Sequence, residues 1–172
     1  MTKVYPLVAR FINKYPLTLA WRIKKHCKVL EKHINPGEEI MYAFAGQKNG
    51  ALLSTSVILL TNKRILIGSK RVLFGYFLTS ITPEMFNDFK VSNLIIWGKV
   101  YIDTVKEFIT VSGLQKKALV EVETNFSEYI IKYGTQERIE RLKKASHWCF
   151  FLAKINIILY TIIGGKIWES YF

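Results

Sequence analysis

In Ser54–Thr82, STSVILLTNKRILIGSKRVLFGYFLTSIT, the pattern of apolar and polar positions predicts three consecutive β-strands. Ser56–Leu60 and Arg64–Gly68 are rich in Val, Ile and Leu and are separated by Thr61-Asn62-Lys63, where Asn tolerates the left-handed backbone of a tight hairpin turn. Ser69-Lys70 marks a second reversal before Val72–Leu78, in which Gly75 signals a bulge or bend. In the first of these strands Val57 and Leu59 alternate with Ile58 and Leu60, so both faces are apolar and need cover from a second sheet or a helix.

Four further strands complete the pattern: Ile40–Ala45 ahead of a Gly46–Gly50 turn, then Phe89–Ile96, Val100–Asp103 and Glu107–Val111, with Trp97-Gly98 as a turn. Ser112-Gly-Leu-Gln115 fits a capping box and predicts a helix starting at Ser112. Its apolar stripe is Leu119, Val122, Phe126, Tyr129 and Tyr133, with Gly134 as the stop. The expected architecture is mainly β (α+β), a seven-stranded split barrel plugged by one C-terminal amphipathic helix. Val57, Leu59, Ile65, Ile67, Leu73, Val100, Ile102, Phe108, Leu119, Val122 and Phe126 are its expected core.

Three segments follow. Residues 1–35 are a basic arm, residues 36–133 the barrel and residues 134–172 a tail. In the arm, Ala20, Ile23, Cys27, Leu30 and Ile34 recur at helical spacing, while Arg22, Lys24, Lys25, Lys28 and Lys32 fall largely off that face. Such a helix either packs on the domain with its basic side in water or lies on anionic lipid with Trp21 near the headgroups. The tail opens with a charged helical pattern. It continues into Trp148–Trp168, 21 residues long, bounded by Trp and flanked by lysines. Lys154 counts against a simple span, since a lysine near a helix centre costs about 2.5–3.5 kcal/mol on insertion. The apolar residues around it nearly balance that cost. A membrane-inserted or membrane-lying tail, a helix folded onto the barrel and a helix buried in an oligomer therefore all stay open.

Charge narrows the class of partner. The formal net charge is +12, and residues 1–33 carry eight cations against Glu31 alone. An anionic membrane surface, an acidic protein partner and nucleic acid all suit that sign. Cys27 and Cys149 lie far apart, and Arg10 and Lys14 interrupt the early apolar run, so no secretory h-region forms. The expected setting is cytoplasmic, peripheral or tail-anchored at the cell membrane.

The segments Gly37-Glu-Glu-Ile-Met-Tyr-Ala-Phe, Leu60-Thr-Asn-Lys-Arg-Ile-Leu-Ile, Phe89 into Trp97-Gly98, and Asp103-Thr104 with the closing helix resemble the bacterial pleckstrin-homology-like (PH-like) domains of Gram-positive bacteria. The resemblance covers about residues 36–133. It implies a seven-stranded barrel with a capping helix, a tendency to self-associate into homo-oligomers, and no shared catalytic residues. Eukaryotic relatives often bind phosphoinositides through basic residues of the first loop, and here that loop holds Lys48 alone.

Nothing in the chain composes a catalytic motif, whether a Gly-rich phosphate loop, H-E-x-x-H or G-x-S-x-G. His26 and His33 lack a completing thiolate or carboxylate at ligand spacing, so neither a metal nor another cofactor is expected. The function read from the sequence is a non-enzymatic binding module at the inner membrane face. Lys48, Lys70, Arg71 and Lys106 are its candidate ligand-binding residues. Trp21, Lys24, Lys25, Lys28, Lys32, Trp148 and Trp168 are its candidate membrane contacts. The alternative is a soluble, self-assembling structural or protein-interaction module. Nucleic-acid binding ranks behind both, because Tyr76 and Phe77, the aromatics that would stack on bases, are expected in the core.

Overall fold

A computed structural model of the chain describes residues 3–50 and 54–134. Two helices, α1 (Val4–Lys14) and α2 (Ile23–Glu31), precede seven strands and a closing helix. The strands are β1 (Ile40–Lys48), β2 (Thr55–Thr61), β3 (Ile65–Lys70), β4 (Tyr76–Ile81), β5 (Phe86–Asn93), β6 (Trp97–Thr104) and β7 (Phe108–Gln115). The helix α3 (Ala118–Tyr129) continues into one π-helical turn, Ile130–Gly134. All pairings are antiparallel, in the order β4-β3-β2-β1-β7-β6-β5, and the sheet curls into a half-barrel. The expected seven strands and C-terminal helix are present.

The two-faced strands are covered on both sides. Ile58, Leu60, Ile65 and Ile67 point inward with Phe44, Val100, Ile102, Ile109 and Val111, and the helical stripe Leu119, Val122, Phe126 and Tyr129 closes over them. Val57, Leu59 and Leu66 point outward with Ala43 and Ala45, under Val4 and Val8 of α1 and Cys27 and Leu30 of α2. The first helix was not legible as one, because Arg10 and Lys14 break the apolar run when it is read linearly. Wound at 3.6 residues per turn, Val4, Val8 and Phe11 form one buried stripe and the cations face water. α2 packs on the sheet with its lysines exposed, the first of the two arrangements expected for it.

Four expectations fail locally. Ser112–Gln115 belongs to β7 and does not cap a helix: the Ser112 hydroxyl donates to the Gln47 carbonyl (3.3 Å), and α3 starts only at Ala118. Here the strand ladder outcompetes a helix-start signal. β4 begins at Tyr76, not Val72, so Leu73 is 81% exposed. The inward residues of β7 are Ile109 and Val111, which turns Phe108 outward to stack on Tyr101 at 5.7 Å. Trp97-Gly98 opens β6, and the β5–β6 turn falls on the exposed Leu94, Ile95 and Ile96. Glycine is required at position 98, because a Cβ there would meet Leu119 Cδ1 at 2.1 Å.

The β2–β3 turn occurs where expected, by a different mechanism. Asn62 does not adopt positive φ. Instead the Thr61 hydroxyl accepts from the Arg64 N–H (3.0 Å) and donates to the Arg64 carbonyl (2.7 Å). Thr104 makes the same pair of bonds to Glu107 at the β6–β7 turn, so two hairpins share one Thr-centred closure.

Candidate functional site

Antiparallel pairing places the β1–β2, β3–β4 and β6–β7 connections at one end of the half-barrel. Lys48 joins them: its ammonium lies 3.8 Å from Glu107 in the β6–β7 turn and 3.4 Å from the Thr79 hydroxyl of β4. The Asn49 N–H donates to the Thr110 carbonyl at 2.7 Å. Three of the sequence-predicted ligand residues, Lys48, Lys70 and Lys106, therefore sit at this end with Arg71. Lys48 is already engaged with Glu107.

The β3–β4 hairpin protrudes from this end. Gly75, at φ +78°, lets the chain reverse over Arg71–Gly75. The turn presents Val72, Leu73 and Phe74 at 59%, 81% and 86% exposure, with nothing polar between them. Arg71 folds its guanidinium over the Phe77 ring at 4.0 Å. Tyr76 and Phe77 are exposed, contrary to their expected place in the core. Base stacking gains nothing from that exposure, since one ring carries Arg71 and the other leans on His33 at 5.1 Å. Arg64, a further cation of the β2–β3 turn, is held in a fork on Glu38 and is not open to a phosphate.

The helix α2 borders this hairpin. Its buried face is His26, Cys27, Val29 and Leu30, which leaves Lys24, Lys25, Lys28 and Lys32 outside. The Trp21 N–H donates to Thr55 Oγ1 (3.1 Å), fixing the N-terminal end of α2 beside the start of β2 and hence at the loop end. The Lys70 N–H donates to His26 Nδ1 (2.7 Å) and ties α2 to the base of the hairpin. Burial, and secondarily the charge of Arg22, lowers the His26 pKa to about 4, so the ring accepts this bond as neutral imidazole. Cys27 beside it is buried, and burial followed by the charge of Glu31 raises its pKa to about 12. It is a core thiol.

Between α2 and the hairpin lies a cavity of about 360 Å³ lined by Lys25, Lys28, Lys32, His33, Lys70 and Tyr76. Along the chain the arm lysines and Lys70 form two separate groups, and the fold merges them. A second cavity, about 530 Å³, opens between α1 and α2 beside Trp21, Lys24, Lys25 and Lys28. Among the described residues no group of three or more His, Cys, Asp or Glu side chains could hold a metal. No described helix is long and apolar enough to cross a membrane. Trp148 and Trp168, the remaining candidate membrane contacts, lie outside the described residues.

A family model described as Bacterial PH domain matches residues 34–147. The chain belongs to the bacterial PH domain family. That description does not limit the family to Gram-positive bacteria. The match begins after α2, so the PH segment supplies the hairpin and the residues before it supply the helix. The crystal structure of a pleckstrin homology domain from Shewanella amazonensis SB2B is similar over 59% of this chain and 82% of its own, at 14% identity and a TM-score of 0.41. No curated protein matches the chain.

Proposed function

We propose that this PH domain is a non-catalytic binding module that docks its loop end on an anionic membrane surface. The observation that carries the reading is the shared location of an exposed apolar tip, Val72-Leu73-Phe74, and the lysine-bearing side of α2. Three exposed apolar side chains in a row lose hydration cost on entering an acyl layer, and each nearby lysine adds about 1 kcal/mol against an anionic leaflet. Either term alone gives marginal attachment. Acting on the same surface they combine, and the Trp-bounded segment Trp148–Trp168 adds a further contact in this reading.

Self-assembly, the rival reading, loses one of its supports. The second apolar face of β2 and β3, surface that a second copy could have hidden, is covered by α1 and α2 of the same chain. Flotation of the full chain with anionic and neutral vesicles tests the proposal. Binding to anionic vesicles that weakens as salt rises is expected. Protein that stays at the bottom of the gradient with anionic vesicles at low salt overturns it in favour of self-assembly, which light scattering would then detect.

A further inference from the structure

We propose that the cavity between α2 and the β3–β4 hairpin is a phosphate site, selective for the phosphomonoester headgroup of an anionic lipid. The inference rests on the membrane reading only for the lipid part of its ligand. Four lysines, Lys25, Lys28, Lys32 and Lys70, line one concave space, and no acidic residue lines it. Among the described residues none of the four forms an ion pair within 4.0 Å, whereas Lys14, Lys48 and Lys90 elsewhere on the surface each have an acidic partner. Like charges gathered without a counter-ion repel one another, and a multiply charged anion relieves that repulsion. A phosphomonoester carries a charge of about −1.5 to −2 near neutral pH, more than a diester can offer.

The neutral side of the cavity has directional donors. His33 Nδ1–H donates to the Val29 carbonyl at 2.7 Å, which leaves Nε2 to accept from the Tyr76 hydroxyl at 3.2 Å. Rotation about its C–O bond lets the Tyr76 hydroxyl donate to a phosphate oxygen instead of to Nε2. The exposed Leu73 and Phe74 continue the same hairpin beyond Tyr76, so a phosphate held here has an apolar surface next to it. That adjacency favours a phosphate attached to acyl chains over a soluble one. The helix half of the cavity precedes the segment matched to the PH family, so the site belongs to the combination of α2 with the hairpin.

The test compares vesicles containing phosphatidate with vesicles containing phosphatidylglycerol at matched total surface charge, using the full chain. A preference for phosphatidate is expected. Lys28→Gln with Lys32→Gln should abolish it and lower phosphatidate binding by roughly 30-fold, from about fivefold per lysine. Lys63→Gln with Lys99→Gln removes the same charge outside the cavity and should keep the preference. Titration of the unmodified protein with inorganic phosphate, followed by NMR shifts of His33, Tyr76 and Lys70, needs no variant to fold. Equal binding to both vesicles together with no shifts overturns the site and leaves the membrane reading standing. Shifts with phosphate but no binding to any vesicle support the site, assign it to a soluble phosphate and overturn the membrane reading.

Discussion

Leu30 of α2 occupies the space where Gly68 of β3 lacks a side chain: a Cβ at Gly68 would come within 2.7 Å of Leu30 Cδ2 and 2.8 Å of Leu30 Cγ. Leu30 is fully buried and cannot swing aside. This close approach sets the distance of α2 from the sheet, and with it the width of the lysine-lined cavity.

Gly68→Val should therefore push α2 outward. Overpacking of a filled site costs about 1–3 kcal/mol. A urea midpoint lowered accordingly, with an unchanged β-sheet circular dichroism signal, is the expected outcome. An unchanged midpoint would mean that α2 is not seated as described.

The hairpin sequence Leu60-Thr-Asn-Lys-Arg64 carries a buried ion pair. The Glu38 side chain is fully buried and accepts from Arg64 Nε (3.0 Å), Arg64 Nη2 (3.1 Å) and the Asn35 N–H (2.9 Å), with the Thr61 hydroxyl 2.7 Å away as a donor that can turn to it in place of the Arg64 carbonyl. Burial alone would raise its pKa, but the Arg64 fork and the other donors outweigh it and hold the carboxyl below its ordinary value. A depressed carboxyl stabilises the fold above its unfolded pKa, and that contribution is lost as pH falls through the folded one. Glu38→Gln leaves Arg64 unpaired in a half-buried site and should cost about 3 kcal/mol, read as a lower urea midpoint. The double variant Glu38→Gln/Arg64→Met should recover part of that loss.

His26 gives the fold a separate acid sensitivity. Its pKa falls from 6.5 to about 4 on folding, so the unfolded chain binds the extra proton first. Stability from this group is complete above pH 6.5 and is lost progressively down to about pH 4, by on the order of 3 kcal/mol. Protonation also removes the acceptor of the Lys70 N–H, so α2 should loosen from the hairpin. In a Cys149→Ser chain, alkylation of the buried Cys27 should accelerate over this pH window relative to a small free thiol at the same pH. His26→Gln should flatten the stability profile there, and an unchanged profile would assign the sensitivity to another group.

How much of this could be read from the sequence depends on how local each cause is. β6 was legible because Val100 and Ile102 alternate with Tyr101 and Asp103, a period-two signal contained within the strand. The α3 stripe was legible for the same reason at helical period. Ser112-Gly-Leu-Gln115 misled because a capping box and a strand carrying a left-handed glycine share residues, and pairing of β7 with β6 and β1 decides between them. The site was half legible. Lys24, Lys25, Lys28 and Lys32 stand out in the composition of the arm, but the meeting of Lys25, Lys28 and Lys32 with Lys70, His33 and Tyr76 depends on α2 folding back over β3. The signal for that was Gly68 itself, a strand glycine, which marks a close approach as well as flexibility.

The hairpin tip makes the membrane reading most exposed to refutation. Leu73 and Phe74 are among the most exposed large apolar residues described, so replacing them by serine should leave thermal stability within about 0.5 kcal/mol of the parent. If they enter the acyl layer, each contributes about 1.5–3 kcal/mol to binding, and Leu73→Ser/Phe74→Ser should lower partitioning onto anionic vesicles by 100-fold or more. Salt separates this contribution from the lysines. Neutralising Lys24, Lys25, Lys28 and Lys32 removes an electrostatic attraction that high salt screens anyway, so that variant should converge with the parent as salt rises. The serine variant should not converge, because transfer of apolar surface is not screened. Should the serine variant float as well as the parent at every salt concentration, the tip stays out of the bilayer and attachment is electrostatic alone.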